Sequence, residues 1–393
     1  MWQDIKNIYH LFQAIAANLI YRFPSKDMTV IGVTGTDGKT TTSSLIYHIL
    51  QEAGLKTALI STVSAIINGK AYDTGFHVTT PGSFSIQAYI SKAKKAGVKF
   101  LILEATSIGI HQNRVFGIPF EIAVLTNISN EHLDYHKTYE KYVAAKAKLF
   151  QIAKTAVLNR DDKSFSYIFP YLKKKKIVTY GLKRDANVSP KNFSSKTKLI
   201  GQFNLYNTLA AVAVAIELDI KEDVIAKACS SFTPPVGRTE IVYDKDFKVM
   251  IDFAHTPGAF EHLLPEINKL KKGRLIHVFG SAGDRDKYKR PEMGRISAEF
   301  TDIMILTAED PRDEEVEDII SEIESGIDRK FDKKNLLKIR DRKEAIFKAI
   351  ELAGKGDIVL ITGKGHETSM NLGQGEVPWS EHEAVKEALR KKL

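Results

Sequence analysis

From Thr29 onward, short continuous apolar runs alternate with longer stretches in which apolar residues recur at helical spacing. The runs predict strands at Val30–Val33, Ala58–Ile60, Phe100–Leu103, Ala123–Thr126, Ala156–Leu158 and Ile177–Tyr180. A second series follows at Lys248–Phe253, Leu275–Phe279, Ile303–Leu306 and Ile358–Ile361. Strands alternating with helices predict an α/β protein built on doubly wound, mostly parallel sheets. A helical pattern near Asn204–Leu218 closes the first series, and Thr233-Pro-Pro-Val-Gly-Arg238 reads as a stiff linker. The domains are therefore placed at 29–235 and 236–393. Ahead of them, residues 4–23 carry Ile5, Ile8, Leu11, Phe12, Ile15 and Leu19 at helical spacing, and Pro24 is expected to stop that helix. Segment 1–28 is then either a helix packed on the first domain or one that meets a membrane surface or a partner.

Almost every candidate strand runs into a polar, glycine-rich or acidic cluster. Phe100–Leu103 ends in Glu104-Ala-Thr-Ser107, and Ala123–Thr126 in Asn127-Ile-Ser-Asn-Glu-His-Leu-Asp134. In the second series the clusters are Asp252-Phe-Ala-His-Thr256, Gly280-Ser-Ala-Gly-Asp-Arg285, Thr307-Ala-Glu-Asp-Pro-Arg312 and Thr362-Gly-Lys-Gly-His-Glu367. Open α/β sheets bind ligands at the carboxyl ends of their strands. Two such sheets predict one site in a cleft between two domains.

Composition narrows the class. The chain has 393 residues, 43% hydrophobic and 27% charged, which is ordinary for a soluble protein of two or three domains. A lone cysteine, Cys229, excludes a disulfide framework and a cysteine-rich zinc site, and fits a reducing, cytoplasmic setting. No run of about 18 apolar residues exists to span a membrane. The net charge of +9 is spread along the chain, and the run Lys173–Lys176 has no interleaved aromatics. That argues against nucleic acid and for a small polyanionic substrate such as a nucleotide.

The densest chemistry is Val30-Ile-Gly-Val-Thr-Gly-Thr-Asp-Gly-Lys-Thr-Thr-Thr42, a strand, a glycine loop and a helix start. Backbone N–H groups and the helix dipole make such a loop an anion cradle. Lys39 would reach the outer phosphates of ATP and the Thr40 hydroxyl would ligate Mg²⁺. Gly35, Thr36, Asp37, Gly38 and Thr41 complete the loop. Where the strict pattern has its first glycine, this chain has Val33, so the loop is a variant. Glu104, at a strand end beside the loop, is either a Mg²⁺ ligand or a solvated loop acid. His132 is either a metal ligand or a packed loop histidine.

Taken in order, the chain resembles the Mur ligases, and among them the MurE type. The resemblance is carried by the phosphate loop, Glu104-Ala-Thr-Ser, Glu131-His-Leu-Asp-Tyr-His136, Tyr142-Val-Ala-Ala-Lys146, Asn204-Leu-Tyr-Asn207, Gly237-Arg-Thr-Glu240, Asp252-Phe-Ala-His-Thr-Pro257, Gly283-Asp-Arg-Asp-Lys287, Lys289-Arg-Pro-Glu-Met-Gly294, Asp310-Pro-Arg312 and Gly363-Lys-Gly-His-Glu367. It implies a central ATP-binding domain and a C-terminal Rossmann-like domain. The implied activity is ATP-dependent, ADP-forming addition of an amino acid to a muramoyl-peptide carboxylate through an acyl phosphate, in cell-wall peptidoglycan synthesis. It also implies residue roles. Lys39 and Thr40 would hold ATP phosphates and Mg²⁺. Glu104, His132 and a carbamylated Lys146 would hold a second Mg²⁺. Asn204, Arg238 and Asp252 would contact ATP. Thr79, Thr80, Thr106 and Arg114 would grip the muramoyl peptide, with His255 also on the substrate side. Arg285, Asp310, Arg312, Gly363 and Glu367 would form the pocket for the incoming amino acid. A monomer is expected.

Two departures modify these expectations. Enzymes of this type carry an N-terminal domain for the UDP group, and about 28 residues are too few to form one. The resemblance therefore does not carry UDP recognition over. In addition, enzymes selecting meso-diaminopimelate carry Asp-Asn-Pro-Arg where this chain has Glu309-Asp-Pro-Arg312. Asp310 is thus expected to meet a distal ammonium, which leans toward a diamino acid such as lysine. Two other functions compete. One is a folylpolyglutamate-synthase-like ligase. The other is a non-catalytic nucleotide-binding partner of an amidotransferase.

Overall fold

A computed structural model describes the chain except residues 1, 76–78, 130, 195 and 393, and except the side chains of residues 2–5, 133 and 134. The chain divides into two compact units, Met1–Thr233 and Pro234–Leu393. The division falls inside the proline-containing segment that the sequence marks as a linker.

The first unit is built on β1 (Thr29–Thr34), β2 (Thr57–Ile60), β3 (Ala65–Ile67), β4 (Lys70–Tyr72), β5 (Phe100–Glu104), β6 (Phe120–Leu125), β7 (Thr155–Asn159) and β8 (Lys176–Tyr180). They form one sheet in the order β4-β3-β2-β5-β1-β6-β7-β8. The strands from β2 through β8 in that order pair in parallel, while β3 and β4 add an antiparallel edge. Successive residues of the central strands point to opposite faces, and both faces are covered. Val30, Leu101, Leu103, Ala123 and Leu125 lie in one core, and Ile31, Val33, Ile102, Ile122 and Val124 in the other. Double burial is why these strands read as unbroken apolar runs. The chain leaves β1 toward β2 but leaves β5 toward β6. The adjacent carboxyl ends of β1 and β5 therefore mark a topological switch point, where a ligand crevice opens in such sheets.

The second unit contains β9 (Glu240–Asp244), β10 (Lys248–Asp252), β11 (Leu275–Phe279), β12 (Ile303–Leu306), β13 (Leu336–Lys338) and β14 (Ile358–Thr362). Its sheet runs β13-β12-β11-β14-β10-β9, parallel except for β9 at the edge. A hairpin of β15 (Ser369–Asn371) and β16 (Glu376–Pro378) follows.

Three local expectations need correction. The short strands β3, β4, β9 and β13, at or next to the sheet edges, are absent from the sequence reading because three to five residues give too little periodicity. A signal for β3 and β4 exists. Asn68-Gly69 between them is a two-residue turn with both residues left-handed, at φ 52° and 73°. The N-terminal helix runs Trp2–Ile20, and Pro24 does not end it. Arg22 and Phe23, both left-handed, end it, with the Phe23 N–H reaching back to Asn18 O at 2.9 Å. Pro24 instead opens the short 3₁₀ turn Pro24–Asp27. The helix does pack on the first unit, but through Ala14, Ala17 and Asn18, whose amide donates to Phe116 O. Ile8, Phe12 and Leu19 are exposed, and the side chain of Ile5 lies outside the described residues. The stripe of large apolar residues is therefore not its packing face. Among the described residues no helix is long and apolar enough to cross a membrane.

The second unit is tied together by a fully buried ion pair. Arg342 opens the helix Arg342–Leu352 and Glu381 opens the helix Glu381–Lys392, and both side chains are sealed from solvent. Arg342 gives its remaining donors to Ala308 O at 3.0 Å and Thr362 O at 2.7 Å, the backbone at the ends of β12 and β14. Removing one partner strands a buried charge. Arg342→Met is therefore expected to destabilise the second unit by about 3–5 kcal/mol. By thermal unfolding the midpoint should fall roughly ten degrees; a shift of under about two degrees would show that the pair does not hold the unit.

Candidate functional site

The loop from Gly35 to Gly38 joins β1 to the helix Lys39–Glu52 at the switch point. Its glycines are required by close approach. A Cβ on Gly35 would sit 1.7 Å from Thr126 Oγ1, and one on left-handed Gly38 (φ 79°) would sit 2.2 Å from Asn207 Oδ1. The loop is pinned from the end of β6. The Thr36 N–H donates to Asn127 O and the Asp37 N–H to Asn127 Oδ1, each at 3.0 Å, and Thr126 Oγ1 donates to Asp37 O at 2.6 Å.

Two lysine amines converge on this loop. Lys39 Nζ donates to Gly35 O at 3.1 Å and to Thr36 O at 2.7 Å. Lys146 Nζ, from the helix Tyr139–Ile152, donates to the same Gly35 O at 2.7 Å and is 1% exposed. Burial, with Lys39 close by, pushes the Lys146 ammonium well below the usual lysine range. The ring of Tyr142 lies 4.5 Å beneath Lys146 Nζ, and its hydroxyl meets Thr36 Oγ1 at 2.9 Å. His132, left-handed at φ 55°, stands edge-on to Tyr142 at 6.3 Å, with Glu131 3.6 Å from its Nε2.

Glu104, at the end of β5, is fully buried. Oε2 accepts from Thr40 Oγ1 at 3.2 Å and Thr62 Oγ1 at 2.8 Å, and Oε1 from Ser43 Oγ at 3.1 Å. Among the described residues its carboxylate is met by neutral hydroxyls alone. The solvated-acid alternative is removed. An all-oxygen set around a buried, unneutralised carboxylate fits a hard divalent cation such as Mg²⁺. Among the described residues no group of three or more His, Cys, Asp or Glu side chains is gathered in metal-binding geometry. A cation here would therefore rest on Glu104 and the Thr40 hydroxyl.

Thr80, Thr106 and Arg114 are drawn together next to Glu104. Thr80 Oγ1 donates to Glu104 O at 3.1 Å, meets Thr106 Oγ1 at 3.0 Å and accepts the Thr106 N–H at 2.9 Å. Arg114 donates to Thr80 O at 2.5 Å and twice to Gln112 Oε1. Thr79 is half-buried, next to residues that lie outside the described part. Thr41 is buried in the loop helix. Asn204 is buried with its amide engaged, donating to Ile200 O at 2.8 Å and accepting from Asn207 at 3.0 Å.

In the second unit, Asp252 ends β10 and is buried. Its Oδ2 accepts from the Thr239 N–H at 2.6 Å and the Thr239 hydroxyl at 3.0 Å, and Oδ1 from the Ala254 N–H at 2.7 Å. Burial pushes its carboxyl above the usual range, against the pull of Arg238. Arg238 stacks on Phe253 at 4.5 Å. His255 Nδ1 lies 2.8 Å from Phe253 O, and Lys289 Nζ donates to His255 O at 2.8 Å.

The amino-acid pocket expected from sequence needs a correction. Asp310 already has a cationic partner within the chain: its Oδ1 accepts from Lys364 Nζ at 2.9 Å and from the Asn371 N–H at 3.0 Å. Lys364 is itself fully buried and reaches Glu367 at 2.6 Å. The lean toward lysine loses its basis there. Beside Asp310, Glu309 is 6% exposed and its Oε2 has no hydrogen-bond partner. A Cβ on Gly363 (φ 110°) would lie 3.0 Å from that oxygen. Arg312 donates to Gly283 O at 3.2 Å, while Arg285 is exposed two residues further on. Sequence reasoning therefore missed Lys364, Glu309, Tyr142, Thr62 and Ser43. The first two stand inside or next to quoted motifs, where a buried charge pair was legible as a possibility. Thr62 and Ser43 have no motif signal.

Comparison with known proteins agrees with this architecture. The model of the Mur ligase middle domain matches residues 33–215, and that of the Mur ligase glutamate ligase domain matches residues 237–365. A UDP-N-acetylmuramoyl-L-alanyl-D-glutamate–2,6-diaminopimelate ligase of Aquifex aeolicus is 40% identical over 95% of this chain and 80% of its own length. Its counterpart in Caldanaerobacter subterraneus is 38% identical over the same shares. A solved ligase of that name aligns at TM-score 0.66 and 30% identity, covering 99% of this chain and 83% of its own. Folylpolyglutamate synthase of Mycobacterium tuberculosis shares the fold at TM-score 0.72 but only 16% identity, covering 90% of this chain and 92% of its own. With two domain models in register and relatives matched along nearly its whole length, the chain belongs to the Mur ligase family, as an ATP-dependent, ADP-forming amide ligase of the MurE type.

Proposed function

We propose that this protein joins 2,6-diaminopimelate to the glutamate carboxylate of a UDP-muramoyl dipeptide, with the site described above carrying the reaction. The observation that carries it is Glu104. A sealed carboxylate that meets only hydroxyls, beside Thr40 at the mouth of the phosphate loop, has a use when a cation sits there. Bound Mg²⁺ would neutralise phosphate charge. The relatives' names support the substrates.

A carboxylate is a poor acyl donor. Its oxygen attacks the γ-phosphorus of ATP, the bond to the β,γ-bridging oxygen breaks, and ADP leaves. The amine then attacks the acyl phosphate, expels inorganic phosphate and loses a proton. Such transfer needs alignment and charge neutralisation more than covalent help. Lys39 and the backbone N–H groups at the start of the helix Lys39–Glu52 hold the phosphates, with Lys39 turning from the loop carbonyls to the ligand. Thr80, Thr106 and Arg114 receive the acceptor beside Glu104. Arg238 and Asp252 contact the nucleotide. Arg312, Gly363 and Glu309 hold the amino acid, with Glu309 rather than Asp310 meeting the distal ammonium.

Lys146 is proposed to work as a carbamate. The neutral amine of a lysine is the form that adds to CO₂, giving an anionic carbamate and releasing a proton, and burial beside Lys39 shifts Lys146 toward that form. The product would be an anionic oxygen ligand near the loop.

Phosphate release with UDP-muramoyl-dipeptide and a panel of amino acids tests the function. Diaminopimelate should be the best amine, and a rate independent of both acceptor and amine would overturn the proposal. For Lys146→Ala, turnover should drop by on the order of 10²–10³, with partial rescue by short-chain carboxylic acids. An alanine variant as active as the parent would remove the carbamate. For Glu309→Gln, diaminopimelate binding should weaken by roughly 1–3 kcal/mol, the worth of a charge-assisted hydrogen bond. The KM for ATP should stay constant, and an unchanged KM for diaminopimelate would show that Glu309 does not touch it.

A further inference from the structure

The turn Val236–Thr239 holds an unusual backbone. Gly237 is left-handed at φ 68°, and Thr239, a β-branched residue, is left-handed at φ 48°. A β-branched side chain adopts that conformation only where its surroundings over-determine it. Two carboxylates do so. Asp252 takes both the N–H and the hydroxyl of Thr239. Glu240 Oε2 takes the Gly237 N–H at 2.7 Å. Between those two anchor points lies Arg238.

Glu240 is itself held from the last helix of the chain. His382 Nε2 lies 2.9 Å from the same Oε2. The hydrogen bond that His382 donates to Glu240 raises its imidazole above its ordinary value. Burial works to raise Glu240, but the bonds from His382 and Gly237 outweigh it and hold the carboxyl low. The pair is charge-assisted. His382 follows Glu381, which is locked to Arg342. The imidazole therefore projects from a rigid helix start rather than a loose surface. On its far side the turn is packed tightly. A Cβ on Gly237 would sit 2.3 Å from the His366 backbone nitrogen, in the loop after β14.

We propose that His382 and Glu240 are positioning residues, a two-member brace that fixes the turn carrying Arg238 and so presents Arg238 to the nucleotide. The proposal rests on the reading of Arg238 as an ATP contact. His382 touches neither substrate nor the reacting atoms. Its effect should therefore appear in nucleotide affinity rather than in fold stability or in amino-acid affinity.

The test compares the parent with His382→Leu, His382→Gln and Arg238→Ala in full steady-state kinetics and in hydrogen exchange of the segment 236–240. Loss of the imidazole donor should raise the KM for ATP about five- to tenfold, the net worth of one ordinary hydrogen bond acting through the turn. The KM for diaminopimelate should stay within about twofold of the parent, since no contact of the pocket is removed. Glutamine keeps a donor near the same place and should restore most of the ATP affinity. Exchange in the segment should be faster in His382→Leu than in the parent. Unchanged exchange in His382→Leu, or a glutamine variant as impaired as leucine, would overturn the brace. An equal rise in both KM values would mark a merely structural role and overturn it too. If Arg238→Ala leaves the KM for ATP untouched while His382→Leu speeds exchange, the assignment of Arg238 fails and the brace stands.

Discussion

A buried carboxylate without a countercharge is costly, and the first unit is arranged around one. Glu104 ends β5 in register with Val33 of β1, so the strand pairing itself carries the acid to the mouth of the phosphate loop. Among the described residues it is met by the hydroxyls of Thr40, Thr62 and Ser43. Leaving an anion there unpaired costs several kcal/mol unless something cationic arrives. The surrounding elements make sense in that light. The loop is pinned from β6 so that its donors stay in place, and the residues that gather Thr80, Thr106 and Arg114 hang from the backbone of Glu104 itself. The acid, the loop and the group of Thr80, Thr106 and Arg114 share the carboxyl ends of β1 and β5.

The Gly35 carbonyl plays a related part. It accepts from both Lys39 and Lys146. Two ammonium groups this close repel, and the buried one yields: Lys146 loses basicity to burial first and to Lys39 second. A single backbone oxygen thus couples Lys39 of the glycine loop to the buried Lys146. Tyr142 seals this arrangement from below.

The second unit solves a different problem, which is how to hold several strand ends in fixed relation. Its answer is ion pairs placed on carbonyls and turns. Arg342 clamps the ends of β12 and β14, Lys364 bridges Asp310 and Glu367, and Glu240 clamps the linker turn. Each device fixes backbone that carries a residue matched to the family's pattern. Asp310 is instructive. A carboxylate that looks like a ligand group in the sequence is spent on Lys364, and the neighbouring Glu309 keeps the free oxygen.

The sequence alone determined the α/β class, the ten principal strands, the linker and the glycine loop between β1 and its helix. It could do so because doubly buried strands are continuous apolar runs, and because glycine, lysine and threonine in that order have few other uses. It also marked the strand ends as the chemical face. Short edge strands such as β9 escaped it, since half-exposed three- to five-residue segments have no period to detect. The N-terminal helix shows the same limit. Its large apolar stripe suggested the packing face, yet small Ala14 and Ala17 make the close contact and Ile8, Phe12 and Leu19 stay outside. Only the tertiary structure decided which charges were already paired. Partners such as Lys364 and Asp310, Arg342 and Glu381, or Glu240 and His382 are brought together by sheet order and helix packing across long stretches of chain, and no spacing along the chain encodes which carboxylate will find which cation.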